Sequence, residues 1–161
     1  MNYNGPLVIG DQPDGITAYW LKDTNGTISM PQASGEAKNN ATQDQTWALV
    51  KSSKGYFYIV NRSTGRYLGA NNTGVLSSAV NTGESYQWQI FKQRDDGEAG
   101  AVRIVNKYTG RTLYFNGSPS AAFISNPQDM RQYMTLSYNR QFASDNLWSN
   151  YYISSFNSGK N

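Results

Sequence analysis

Residues 55–72 (GYFYIVNRSTGRYLGANN) and 101–117 (AVRIVNKYTGRTLYFNG) align without a gap over the pattern Ile-Val-Asn-x-x-Thr-Gly-Arg-x-Leu. Ile59 matches Ile104, Gly65 matches Gly110 and Leu68 matches Leu113, each pair 45 positions apart. The same shift carries Trp88 of YQWQIF onto Tyr133 of RQYMTL, and Trp47 of QTWALV lies 41 positions before Trp88. A period in this range predicts three supersecondary units that bury a shared core, since one such unit cannot cover its own apolar face.

The residues missing from the chain narrow its chemistry. It has 161 residues, enough for one domain with a core that needs no staples. It contains no cysteine and no histidine. That removes disulfides, thiolate nucleophiles, Cys-rich zinc sites and the commonest general base and metal ligand, so no catalytic residues, metal or cofactor are expected. Fourteen Lys and Arg against eleven Asp and Glu leave a net charge of +3, too small and scattered to argue for nucleic acid. No apolar run reaches the roughly 18–20 residues of a membrane span, so membrane insertion is not expected. The first ten residues, MNYNGPLVIG, lack the basic and apolar regions of a signal peptide. Although five Asn-x-Ser/Thr sequons begin at Asn25, Asn40, Asn61, Asn71 and Asn116, the expectation is a cytoplasmic or non-classically secreted protein.

Local patterns favour strands nearly throughout. YFYIVN and VRIVN are rich in β-branched and aromatic residues, and NRSTGR and NKYTGR follow them with residues that accept left-handed backbone or cap their own turns. Similar runs occupy residues 16–21, 27–30, 47–50, 75–79, 88–91, 112–115, 121–125 and 133–137. An opening strand at residues 6–9 would make four strands per unit, about twelve in all. No segment keeps a 3.6-residue apolar period, so no long helix is expected. The expected fold is all-β: a barrel of three pseudo-threefold units, closed because an open sheet would expose its edges.

QTW, YQW and RQY, at the start of the last strand of each unit, resemble intact and decayed copies of the Gln-x-Trp signature of ricin-B-type β-trefoil lectins. The Ile-Val-Asn…Thr-Gly-Arg-x-Leu segments are similar to that family's first two strands and their turn. The resemblance implies a β-trefoil over residues 1–139, with repeats at about 1–50, 51–95 and 96–139 and an extension at 140–161. It does not fix activity, because trefoils also serve as inhibitors and structural proteins. The indoles of Trp47 and Trp88, and the ring of Tyr133, are expected in the core rather than against a ligand.

The resemblance also implies that each unit binds a glycan or glycoprotein in a shallow pocket. Such a pocket would be built from an Asp after the second strand, an aromatic platform, and an Asn or Asp shortly before Gln-x-Trp. Aromatic faces stack on sugar C–H groups, and carboxylate or amide oxygens receive the hydroxyl protons. Unit one offers Asp23, Asn25, Asn40 and Asp44, with Asp23 expected in a solvated loop. Units two and three lack the Asp, and offer Asn71, Asn72 and Asn116 as binding candidates. Turn or capping roles are the alternative for Asp23, Asp44, Asn71, Asn72 and Asn116.

Other clusters read more simply. Asp95, Asp96 and Glu98 fall where a hairpin turn is needed, and residues 11–15 (DQPDG) have turn composition. The paired Arg62/Lys107 and Arg66/Arg111 suit either an anionic glycan or solvated turns. Residues 140–161 carry Phe142, Leu147, Trp148, Tyr151, Tyr152, Ile153 and Phe156, more apolar surface than water tolerates. They either pack across the barrel or form a homodimer contact. The function classes that remain are a non-catalytic lectin or agglutinin, a protease inhibitor acting through a loop around Lys38, and a toxin-associated trefoil.

Overall fold

The computed structural model describes residues 17–34, 41–92, 101–138 and 151–155. The expected strand at residues 6–9, the DQPDG turn, the carboxylates of residues 95–98, Asn40, the Lys38 loop segment and most of the C-terminal aromatics lie outside them. In the first part of the chain the strands are β1 (Thr17–Tyr19), β2 (Lys22–Thr24), β3 (Thr27–Ser29), β4 (Gln32–Ser34) and β5 (Trp47–Ser53). The first of the two aligned segments contributes β6 (Tyr56–Asn61), β7 (Tyr67–Ala70), β8 (Leu76–Ala79) and β9 (Trp88–Lys92). The second contributes β10 (Ala101–Asn106), β11 (Thr112–Phe115), β12 (Pro119–Ala122) and β13 (Met134–Tyr138), and β14 (Tyr151–Ser155) ends the described chain. The only helical pieces among the described residues are single 3-10 turns at Gln43–Gln45, Glu84–Tyr86 and Met130–Gln132.

Six strands form a closed antiparallel circuit. β5 pairs with β6, β6 with β9, β9 with β10, β10 with β13, β13 with β14, and β14 returns to β5. Hairpins β2/β3, β7/β8 and β11/β12 stand beside this barrel, and β1 pairs with β4. This is the all-β trefoil arrangement expected from the sequence.

Strand β14 corrects the expected domain boundary. Tyr151–Ser155, expected in an extension outside the trefoil, fills the barrel position between β13 and β5. Register fixes the equivalence: Phe57 faces Trp88, Val102 faces Met134 and Tyr151 faces Trp47. Two residues further along each strand come Ile59, Ile104 and Ile153, all fully buried. The first-strand position of unit one is therefore occupied from the C-terminal end of the chain.

The same register corrects a second expectation. Tyr133 is not the third counterpart of the tryptophans; Met134 is. Trp47 and Trp88 each open a strand directly after the residue that closes a 3-10 turn, and in the third turn that closing residue is Tyr133. Between Leu113 and the turn entrance at Asp129 lies one residue more than between Leu68 and Gly83, which lengthens the period from 45 to 46 there. Tyr133 is still buried, but with Ala101 and Met130 in a small separate cluster, its hydroxyl donating to the Pro127 carbonyl at 2.9 Å.

Both tryptophans satisfy their indole N–H inside the core. Trp47 Nε1 donates to the Leu21 carbonyl at 2.9 Å and Trp88 Nε1 to that of Leu68 at 2.8 Å. Each indole thus fills volume and ties the last strand of a unit to that unit's second strand. Methionine fills the third position without such a bond.

The repeated Asn-x-x-Thr-Gly-Arg turn has an equally local cause. Asn61 Oδ1 accepts from the amides of Ser63 and Thr64, and Asn106 Oδ1 from those of Tyr108 and Thr109. Their Nδ2 groups donate to Asp44 and Ser85 carbonyls in the preceding 3-10 turns, at 2.9 and 2.8 Å. One carboxamide closes its own turn and holds the neighbouring unit. The glycines that follow, Gly65 and Gly110, have φ of 70° and 76°, where a side chain would be strained.

Two substitutions test this arrangement by chemical denaturation. Trp88→Ala should lower stability by about 3–5 kcal/mol as a buried aromatic truncation. Ile153→Ala should cost about 2–5 kcal/mol, matching Ile59→Ala and Ile104→Ala measured alongside it, if β14 is a full barrel strand. An Ile153→Ala midpoint equal to wild type would make the C-terminal strand dispensable.

Candidate functional site

The candidate residues of unit one are held by the fold. Asp23 is the middle residue of β2, and strand alternation turns it inward between the less buried Lys22 and the exposed Thr24. It is 1% exposed, which corrects the expectation of a solvated loop. Its carboxylate accepts from Gly26 N at 2.9 Å, Thr64 Oγ1 at 2.6 Å and Ser78 Oγ at 2.9 Å. Ser78 in turn receives Arg66 Nε at 2.8 Å, and its carbonyl accepts Arg66 Nη2. Asp23, Thr64, Ser78 and Arg66 thus lock β2 to the aligned turn and to β8.

The neighbours of Asp23 are also committed. Asn25 (φ 47°) and Gly26 (φ 110°) form the two-residue turn between β2 and β3, where left-handed backbone at both positions matches the strand twist. Asp44 lies in the 3-10 turn Gln43–Gln45, 3.8 Å from Lys22 Nζ, and accepts from Thr42 Oγ1. In the third unit Asn116 is exposed in the bend between β11 and β12.

Beside Asn116 the corresponding corner of unit three is closed by a side-chain clamp. Tyr114 donates its hydroxyl to Asp129 Oδ2 at 2.9 Å. Arg131 places Nε and Nη2 on the two Asp129 oxygens at 2.9 and 3.1 Å, with its guanidinium 5.4 Å from the Tyr114 ring centroid. The hydrogen bonds from Arg131 hold the Asp129 carboxyl below the usual carboxylate range, against the opposing effect of burial. Burial, and then Asp129, push the Tyr114 hydroxyl up. The Asp129 contribution to stability is present above the ordinary Asp range and is lost as pH falls through the lowered value, whereas that of Tyr114 is lost as pH rises through its raised one.

Unit two is different. Asn71 and Asn72, at the end of β7, line an open depression of about 220 Å³ together with Ala70, Ser77, Ser85, Tyr86 and Tyr108. This is smaller than the roughly 300–1,000 Å³ of drug-sized sites and suits a single small ring. Tyr86 lies against the backbone of Gly69, where an added Cβ would meet its ring at 2.5 Å, so only glycine admits the ring there. Tyr108 comes from the second aligned turn and is 60% exposed. The repeated arginine beside it is not a solvated cation: Arg111 Nη2 donates to the Asn72 carbonyl at 2.8 Å, with its guanidinium 4.4 Å from the Phe123 ring centroid.

Of the sequence candidates, the fold therefore joins Asn71 and Asn72 and leaves Asp23, Asn25, Asp44 and Asn116 apart from them. Tyr86 and Tyr108 were not singled out. Their signal is positional: Tyr86 stands where the other turns have Gln45 and Gln132, and Tyr108 stands opposite Ser63 in an otherwise matching turn.

Residues 43–133, more than half of the chain, match the family of ricin-type β-trefoil lectin domain-like proteins. The chain belongs to this family. Two solved structures resemble it in fold. The designed 3-fold symmetric protein ThreeFoil is 19% identical, with a TM-score of 0.50 over 72% of this chain and 94% of that one. The BEL β-trefoil, in an apo crystal form, is 15% identical, with a TM-score of 0.54 over 83% of this chain and 92% of that one. At such identities the likeness speaks for the fold alone. No curated protein matches the chain.

Asp23 yields a test. Asp23→Ala removes a buried acceptor from two hydroxyls and an amide, and should cost about 3 kcal/mol or more, since each bond to a charged group is worth about 1.5–3 kcal/mol. A melting temperature equal to wild type would return Asp23 to a solvated position.

Proposed function

We propose that this chain is a non-catalytic carbohydrate-binding lectin that takes a sugar in the depression beside β7. The observation that carries this reading is the convergence of two tyrosine rings, Tyr86 and Tyr108, with two carboxamides and two serine hydroxyls around a depression of monosaccharide size. Rings stack on the C–H faces of a sugar, and the amides and hydroxyls address its oxygens. Membership of a lectin-like family supports the same class of ligand. None of the lining residues is an acid, so the paired carboxylates that glycoside hydrolysis requires are not supplied there. Among the described residues no helix is long and apolar enough to cross a membrane.

One sugar per chain is the expected valency. The corner of unit three is filled by Tyr114, Asp129 and Arg131, and in unit one Lys22 faces Asp44 while Asp23 is turned into the interior.

Calorimetric titration of the full chain with the strongest ligand from a glycan array tests the proposal. Binding should saturate near one site per chain. Tyr108→Ala should weaken it about tenfold or more, equivalent to about 1.4 kcal/mol, with little change in melting temperature because the ring is largely in solvent. Absence of binding to any glycan, or full affinity in Tyr108→Ala, overturns the assignment.

A further inference from the structure

The groups left uncommitted around the depression narrow the ligand class, given that the depression is the sugar site proposed above. Asn71 Oδ1 already accepts from the amides of Thr73 and Val75, at 3.0 and 2.9 Å, and from the Thr73 hydroxyl at 2.8 Å. Amide N–H groups bond only to the oxygen of a carboxamide, so the Asn71 side chain has a fixed orientation and has its Nδ2 donor left to offer. Nearby charges are already engaged. Glu84 lies 3.5 Å from Lys107 Nζ, which also sits 4.6 Å from the Tyr56 ring centroid. Arg111 is held by the carbonyls of Asn72 and Ala121.

The depression therefore presents a fixed amide donor, serine hydroxyls and two phenol rings, and its lining includes no carboxylate and no cation. An unmodified hexose displays hydroxyls, which carboxylates read best. An acidic sugar would bring a carboxylate into partial burial beside no cation of the lining, which is costly. An acetamido group fits both constraints: its carbonyl needs a donor and its methyl needs an apolar wall.

We infer that the depression selects a neutral N-acetylated hexosamine over the parent hexose and over acidic sugars. The Asn71 Nδ2 group donates to the acetamido carbonyl, and the methyl lies against the tyrosine rings.

Titration calorimetry of the full chain with the methyl glycosides of N-acetylglucosamine, N-acetylgalactosamine, glucose, galactose and glucuronic acid decides the matter. At least one acetamido sugar should bind about tenfold or more tightly than its parent hexose, and the glucuronide should bind weakest. Asn71→Asp keeps the acceptor oxygen that the turn uses and replaces only the donor, so the melting temperature should hold while the acetamido preference collapses. Equal affinity for hexose and acetamido hexose, or a preference for the glucuronide, overturns the inference and leaves the lectin reading standing. Wild type that binds none of these sugars nor any array glycan removes both. A preference that survives Asn71→Asp with undiminished strength refutes the role of Asn71.

Discussion

Every barrel strand carries backbone donors and acceptors on both of its edges, and a six-stranded barrel satisfies them only if the sixth strand is present. Here that strand is β14, which comes from the far end of the chain from the unit it completes. Without it, β5 and β13 would each present an unpaired edge, and the void left by Ile153 would adjoin Leu21, whose amide donates to the Ile153 carbonyl at 2.7 Å. Leu21 is also the residue whose carbonyl receives the Trp47 indole. The C-terminal strand and the first Gln-x-Trp element are thus coupled through one residue.

The barrel is nearly symmetric, but its loop corners are not. At equivalent places after the second strand of each unit stand Lys22, Gly69 and Tyr114. Lys22 pairs with Asp44, and Tyr114 is bound to the Asp129–Arg131 pair. Gly69 alone contributes no side chain, and the space this frees is where Tyr86 lies. One glycine thus turns a corner that its neighbours fill into one that is open and aromatic. The proposed binding site thus falls to one unit, while the corners of the other two are filled by side-chain bonds.

The barrel was legible in the sequence because its determinants are local and repeated. The paired Asn61 and Asn106 turns and the buried Trp47 and Trp88 each use the same contacts at a fixed spacing. What failed was anything that depended on a single residue of register. Tyr133 replaced Met134 in the expected pattern because one inserted residue shifted the period, and both are apolar enough to fit a core. Asp23 was misread for a related reason: alternation along a strand reverses the direction of a side chain at every step, and a residue at the edge of a loop changes from ligand contact to interior network over that step. The role of Ile153 was hidden because pairing between distant parts of a chain leaves no periodic mark. Asn71 and Asn72 were legible as candidates, but not the tyrosines that meet them, since these arrive from separate turns.

The selectivity proposed for the site follows from what the scaffold has already consumed. Arg66, Arg111, Lys107, Asp23 and Asp129 are all engaged in bonds within the protein, so the charges that would favour anionic or strongly hydroxyl-reading contacts are not free for a ligand. Desolvating those pairs to serve a sugar would forfeit interactions between the aligned turns and the hairpins. The groups that remain are neutral: carboxamide nitrogen, serine hydroxyl and phenol. A ligand with an acceptor carbonyl and a methyl group meets these groups without disturbing any bond that holds the barrel, whereas one that must recruit a carboxylate or a guanidinium competes with the fold itself.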